Sequence, residues 1–191
     1  IYFALKLSNT DPNKNELFID IQGKNLDISF LDIKKTKSQL KNINMNLDID
    51  VDNLYYINDT NFDKAKLNGK FNNVWQNLNF RGSYEVGGEL NILLHPNSEN
   101  GRFFEIVSSN AEKTLKIKKV TKSITGGKLT FIGNYDNLFD DSFFNADLSL
   151  KDFAIKKKSK LARFIKVIRI FDIKQQIKGD TEDFEYAEMK I

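Results

Sequence analysis

The stretch that decides the fold is "INMNLDIDV", residues 43–51. Asn and Asp alternate there with five apolar residues, which are Ile43, Met45, Leu47, Ile49 and Val51. A repeat of about two residues places one kind of side chain on each side of an extended chain. The stretch therefore predicts a β-strand with one apolar face and one polar face.

The same alternation recurs along most of the chain. Apolar residues at every second position also mark 3–7, 17–21, 90–94 and 144–150. Shorter apolar segments lie at 67–71, 78–80, 104–107, 115–117 and 129–131. Together these segments predict about ten strands. Because nothing between them has the pattern of a crossover helix, we expect antiparallel neighbours joined by turns.

The composition excludes several classes of protein. With 191 residues, 40% of them hydrophobic, the chain can bury a sizeable core. The absence of Cys excludes disulfides, thiol catalysis and thiolate metal sites. A net charge of +3 gives no reason to expect a nucleic-acid partner. Since the chain starts at Ile1 without an initiator Met, we interpret it as a fragment of a longer protein.

Three aspartates have the spacing of a calcium-binding loop. They are Asp48, Asp50 and Asp52. However, Asn53 stands where such a loop needs Gly, and Asp59 stands where it needs a bidentate Glu. We therefore interpret the three carboxylates as the polar face of a strand.

The other candidate reactive residues are isolated. His95 is the only histidine, and we expect it to be a turn residue before Pro96. Asp136, Asp140 and Asp141 could imitate an acid–base pair, but nothing near them predicts the desolvation that separates two pKa values. Gly126–Gly127 lacks the Lys-Ser/Thr ending of a phosphate loop and predicts a tight turn into a strand. We expect neither catalysis nor a cofactor or metal.

The sequence "KKKSKLARFIKVIRIFDI", residues 156–173, predicts one amphipathic helix over about 159–173. Its apolar stripe consists of Leu161, Phe164, Ile165, Ile168 and Phe171. The basic residues Lys160, Arg163, Lys166 and Arg169 wind round the other side. Three roles remain open, namely cover for the sheet, a helix lying on an anionic membrane, or a nucleic-acid contact. The last is disfavoured because aromatic rings on the apolar stripe cannot interleave with the basic side chains.

The apolar face of the predicted sheet is too wide for this helix to cover. Ten strands at about 4.8 Å spacing make a sheet roughly 45 to 50 Å across, whereas a helix is about 10 Å wide. The sheet could close on itself as a sandwich or barrel. Alternatively, it could curl into an open trough whose lining is covered by lipid acyl chains.

Five further stretches appear in a characteristic order. They are "NLDIDVDNLYY" (46–56), "AKLNGKFNNVWQNLNFRG" (65–82), "GGELNILLHP" (87–96), "ITGGKLTFIGNYDN" (124–137) and "FNADLSLKDFAIKKKSKLARFIKVIRIFDI" (144–173). In this order the chain resembles the AsmA-like C-terminal region of bacterial envelope proteins of the AsmA/YhdP/TamB group. A Gly-Gly strand, a strand ending in Asp152–Phe153 and a helix beginning Leu161-Ala-Arg carry the resemblance. The family helix is usually neutral, whereas this one is basic.

The resemblance implies a fold, a function and a location. The fold is a mainly β, elongated and curved antiparallel sheet that forms an apolar groove, with leading strands at 1–42 and the AsmA-like region at 43–191. The function is binding of phospholipid acyl chains and their movement between inner and outer membrane. The location is the periplasm, in a protein anchored to the inner membrane by a segment outside this chain. Other envelope proteins and the membrane surface are further expected partners.

The candidate lipid-binding residues are the apolar sides of the strands. They are Ile43, Met45, Leu47, Ile49, Val51, Leu90, Ile92, Leu94, Leu129, Phe131, Phe144, Leu148 and Leu150, with the helix stripe beside them. Because each buried methylene contributes about 0.8 kcal/mol, such a lining holds hydrocarbon without catalytic groups. The alternative is a non-catalytic structural or assembly module of the envelope with a closed, lipid-free β core.

Overall fold

The computed structural model describes residues 3–8, 16–29, 44–56, 60–72, 74–98, 101–117, 123–135, 144–156, 176–178 and 181–190. The strands of the first half are β1 (Phe3–Ser8), β2 (Glu16–Asp27), β3 (Asn44–Tyr55), β4 (Asn61–Asn72), β5 (Val74–Tyr84) and β6 (Glu89–Pro96). Those of the second half are β7 (Arg102–Ser108), β8 (Ile124–Tyr135), β9 (Phe144–Lys156), β10 (Gln176–Lys178) and β11 (Thr181–Lys190). A short helix, α1 (Ala111–Ile117), connects β7 to β8.

All of these strands belong to one curved, unclosed sheet. Its eleven strands follow chain order from β1 to β9, after which β11 pairs with β9 and β10 lies outside β11. The predicted fold class, a mainly β curved sheet, is confirmed. The expectation of antiparallel neighbours is wrong at one pair, because β2 and β3 run parallel with Ile21 opposite Ile49. Period-two patterning fixes which face a residue occupies but not the direction of the neighbouring strand.

The predicted helix over 159–173, with its apolar stripe and its basic side, lies outside the described residues. Ile43, Asp136, Asp140 and Asp141 also lie outside them. The helix that is described, α1, includes 115–117, where the sequence predicted a strand. Asn110 starts this helix, since its Oδ1 accepts a hydrogen bond from the Lys113 backbone N at 3.1 Å. The strand pattern at 115–117 covers only three residues, so the helix that begins after the Asn110 N-cap includes them.

The sheet has an apolar face and a polar face. One cross-strand row on the apolar face runs through Ile21, Ile49, Leu67, Phe80, Ile92, Ile106, Phe131 and Leu148. On the polar face, Asp50 accepts a hydrogen bond from Lys66 at 2.7 Å, and Asp48 accepts one from Asn68 at 2.6 Å. The aspartates with calcium-loop spacing are thus the polar side of β3.

Three irregularities interrupt the alternation, and one of them is a register shift between β4 and β5 at Lys70 and Phe71. Lys64 has a φ of 51°, and this bulge in β4 puts both Phe62 and Ala65 on the apolar face. Gly126–Gly127 has positive φ values of 66° and 85° and lies within β8, so the expected tight turn there is wrong. His95 likewise lies within β6 and not in a turn.

The buried core occupies one half of the apolar face, near α1. Its first cluster consists of Leu26, Ile49, Val51, Leu54, Phe62, Ala65, Phe80, Tyr84 and Leu90. Its second cluster consists of Ala111, Ile124, Leu129, Leu150, Phe153 and Ile155. Ile117 packs against the first cluster and Leu115 against the second, so α1 bridges them. We call this half of the face the covered half.

Candidate functional site

The candidate site is the other half of the apolar face, away from α1, which we call the open half. Its half-buried lining consists of Met45, Leu47, Phe71, Trp75, Leu78 and Leu94. The register joins these residues across β3, β4, β5 and β6. Because the lining runs across the strands, the groove is oriented across the sheet, with strand ends on one side and the covered half on the other.

The structure brings the predicted lipid-binding residues onto one face. Those that share the apolar face by register are Met45, Leu47, Ile49, Val51, Leu90, Ile92, Leu94, Leu129, Phe131, Leu148 and Leu150. The backbone of Phe144 pairs with Tyr135 at the end of β9. Whether any of these residues binds lipid stays a prediction.

Burial divides the predicted residues into two groups. Val51 is 2% exposed and Leu90 and Leu129 are each 4% exposed, so they belong to the core beneath the covered half. Leu47 and Leu94 are half-buried and face the open half. The second group can contact a ligand without unfolding of the sheet, whereas the first supports the groove from within.

Two glycines leave room for aromatic rings on the apolar face. A Cβ on Gly69 would be 2.7 Å from Cζ3 of Trp75, and a Cβ on Gly133 would be 2.5 Å from Cζ of Phe104. The Phe104 ring also packs against Phe131, with 5.1 Å between ring centroids. Any larger residue in place of these glycines would displace the rings. Sequence reasoning assigned Phe131 to the site but not Trp75 or Phe104.

A hydrogen-bonded chain of side chains holds α1 on the covered half. The Tyr84 hydroxyl lies 2.7 Å from Oγ1 of Thr114. The Thr114 hydroxyl in turn donates a hydrogen bond to Oγ of Ser108 at 2.8 Å. Burial raises the pKa of the Tyr84 hydroxyl, because the phenolate would lose its hydration. These bonds satisfy polar groups that the helix covers.

A carboxylate of α1 ties the helix to β8. Glu112 accepts a hydrogen bond from Lys116 and another from the Gly126 backbone N at 3.0 Å. The bond from Lys116 contributes most, followed by the bond from Gly126, and together they hold the pKa of Glu112 below its ordinary value. The helix α1 is therefore fixed both by the packing of Leu115 and Ile117 on the core and by the hydrogen bonds of Glu112 in its first turn.

One cation lies on the apolar face at the open half. Arg102 is 3% exposed and stands two residues before Phe104 on β7, so both belong to the same face. Its Nη1 donates to the Gly101 backbone O at 2.6 Å, and its Nη2 donates to Oε1 of Gln76. No pattern in the sequence had singled out this arginine.

Titratable groups are otherwise dispersed in the part of the chain that the structure describes. There, no three residues of the His, Asp and Glu types converge as metal ligands would. His95 is exposed, with Nδ1 2.9 Å from the Pro96 backbone O and its ring against Phe103. Within the same ranges, no helix has the length and apolar character needed to cross a membrane. The chemistry that this arrangement offers is apolar contact beside one buried cation.

Comparison with known proteins returned no match among family models, curated proteins or solved structures. The AsmA-like resemblance therefore rests on the quoted motifs alone and stays a prediction.

Proposed function

We propose that this chain binds the acyl chains of phospholipids along the open half of its apolar face. It would do so as one segment of an AsmA-like conduit that moves phospholipid between the inner and outer membranes. The observation that carries the proposal is an unclosed sheet with an apolar row from β2 to β9. On β3 to β6 of the open half, the lining of this face is only half-buried.

The physical basis is the transfer of hydrocarbon from water to an apolar surface. Each methylene that leaves water contributes about 0.8 kcal/mol, without any requirement for a fixed polar partner. The row from Ile21 to Leu148 covers seven strand spacings of about 4.8 Å, or roughly 34 Å before curvature. A long lining with few directional contacts holds an acyl chain and still allows it to slide.

The remaining parts of the proposal come from the resemblance. The chain would lie in the periplasm as part of an inner-membrane-anchored protein and would act without catalysis. Membrane contact would come from the basic residues Lys160, Arg163, Lys166 and Arg169, with other envelope proteins at the ends of the groove. Anionic lipids attract such residues by about 1 kcal/mol each near the surface.

The alternative is a structural or assembly module with a lipid-free core. The two buried clusters of the covered half favour this alternative, because they show that the protein itself buries part of the apolar face. Among the large apolar side chains that the structure describes, only Tyr55 and Val86 are strongly exposed, at 38% and 65%. The two functions differ in whether hydrocarbon enters the open half.

Trp75 supplies the test, because it is the only tryptophan and lies in the lining of the open half. The protein is incubated with phosphatidylcholine vesicles whose acyl chains carry bromine, and the vesicles are then removed. We expect quenching of Trp75 fluorescence in the recovered protein, and none after incubation with unlabelled phosphatidylcholine. Bromine quenches only at short range, so quenching places acyl chains in the groove.

Two adjacent residues of β5 give matched variants. Leu78 lines the open half, whereas Asn79 is exposed on the polar face. Leu78→Asp should abolish the quenching and Asn79→Asp should retain it. Unquenched fluorescence in the wild-type protein, with no bound phospholipid detected by mass spectrometry, would favour the lipid-free module.

A further inference from the structure

Arg102 is a charged side chain in an environment that does not favour charge. It is 3% exposed, and its neighbours across the strands are Pro96 on β6 and Tyr135 on β8. A guanidinium remains protonated at any physiological pH. A buried charge is costly unless it is paired with an opposite charge and its donors are satisfied.

The described contacts of this guanidinium supply no opposite charge. Its two acceptors are neutral, namely the Gly101 backbone O and the Gln76 amide O. Its buried Nε–H has no acceptor among the residues that the structure describes. None of the ion pairs among the described residues includes Arg102. One donor and one positive charge are therefore left uncompensated in this part of the chain.

The position of Arg102 relates it to the groove. Along β7, Ser108 belongs to the buried covered half, and Ile106 and Phe104 follow toward the open half. Arg102 begins the strand at the open rim. An acyl chain that lies along the groove would end in a head group, which prefers a rim to the apolar floor. The charge of Arg102 thus lies beside the apolar lining, just as the head group of a phospholipid lies beside its acyl chains.

We propose that Arg102, held by Gln76, is a binding site for the phosphate group of a lipid whose acyl chains occupy the open half. A guanidinium matches phosphate oxygens with two parallel N–H donors, and Nε–H is the donor that the described residues leave without an acceptor. The site gives the groove a preference for phosphate-bearing lipids over uncharged lipids with the same chains. This inference rests on the proposed function, because it assigns the head group of the same ligand.

The test compares two lipids that differ only in the phosphate. The full chain is incubated with equal amounts of dioleoyl phosphatidic acid and dioleoylglycerol, and bound lipid is quantified by mass spectrometry. We expect a preference for phosphatidic acid of about tenfold or more, which corresponds to about 1.4 kcal/mol. Arg102→Gln should remove the preference and retain binding of dioleoylglycerol. Arg81→Gln is the matched control, because Arg81 is exposed on the polar face and should leave the preference unchanged.

A second variant and a second probe keep the outcomes distinct. Arg102→Met removes the charge but keeps an apolar stem, and thermal unfolding checks that either variant is folded. If the wild-type protein binds both lipids equally, or the preference survives in the folded variants, the inference fails and the acyl-chain groove stands. If neither lipid binds, the proposed function itself fails. If inorganic phosphate alone raises the melting temperature of the wild-type protein but not of Arg102→Gln, and the lipids bind equally, the site belongs to free phosphate and the lipid assignment is overturned.

Discussion

Replacing Val51 by Asp should unfold this protein, whereas replacing Leu47 by Asp should leave it folded and block lipid binding. Both residues belong to the apolar side of β3, and sequence pattern alone treats them as equivalent. Val51 is 2% exposed and lies in register between Gly23 and Ala65. Leu47 is half-buried at the open half.

The expected magnitudes follow from burial. Loss of the buried Val51 side chain costs roughly 1.5 to 3 kcal/mol. An unpaired carboxylate in the same place adds several kcal/mol, or raises its pKa and remains an unsatisfied polar group. The sum is comparable with the whole stability of a domain, about 5 to 15 kcal/mol. At Leu47 the carboxylate can reach water, so we expect a loss of about 1 to 2 kcal/mol.

Urea unfolding followed by Trp75 fluorescence and by circular dichroism measures both losses. Quenching by brominated acyl chains, applied to the folded variant, measures lipid binding. Asp52→Asn is the matched control on β3, because Asp52 is exposed on the polar face and should change stability by less than about 0.5 kcal/mol. Equal destabilisation at Val51 and Leu47 would refute the division into covered and open halves. A folded Leu47→Asp protein that binds lipid normally would refute the position of the groove.

Three further changes test the packing of the sheet and of α1, each by urea unfolding. Gly133→Ala places a Cβ 2.5 Å from the ring of Phe104, so we expect a loss of about 1 to 3 kcal/mol, and an unchanged midpoint would show that the ring is free to move. Tyr84→Phe removes the hydrogen bond to Thr114 and should cost about 1 kcal/mol, whereas no change would mean that this bond does not hold the helix. Because the pKa of Glu112 is lowered in the folded state, the stability it contributes is present above the ordinary glutamate pKa and is lost as pH falls through the folded value. Wild-type stability should therefore fall more between about pH 6 and pH 3 than that of Glu112→Gln, and parallel pH profiles would contradict this role.

Period-two patterning predicted most of the sheet. The stretch at 43–51 forms β3 from Asn44 onward, and the segments at 17–21 and 90–94 lie in β2 and β6. The pattern succeeds because alternation of side chains is a local property of an extended chain. It also identified residues that share the apolar face, including Met45, Leu47 and Leu94, three of the six residues that line the open half.

Short or ambiguous patterns failed where another local signal was stronger. The segment 115–117 alternates over three residues, yet the Asn110 N-cap makes it part of α1. Gly126–Gly127 resembles a turn, but both glycines lie within β8, the register with β9 continues past them, and Asp152 on β9 also has a positive φ of 52°. In both places the sequence contains the deciding residues, namely the Asn110 N-cap and the Gly126–Gly127 pair. Which local structure they favour depends on the neighbouring strand or helix.

The sequence by itself determined that this protein is built from amphipathic strands with one apolar face, because alternation depends on adjacent residues alone. Only the tertiary structure decided which part of that face is buried, because burial depends on strand order and on the position of α1. Only the tertiary structure likewise decided the parallel pairing of β2 with β3 and the burial of the Arg102 guanidinium. Both depend on contacts between residues distant in sequence, which no local pattern encodes.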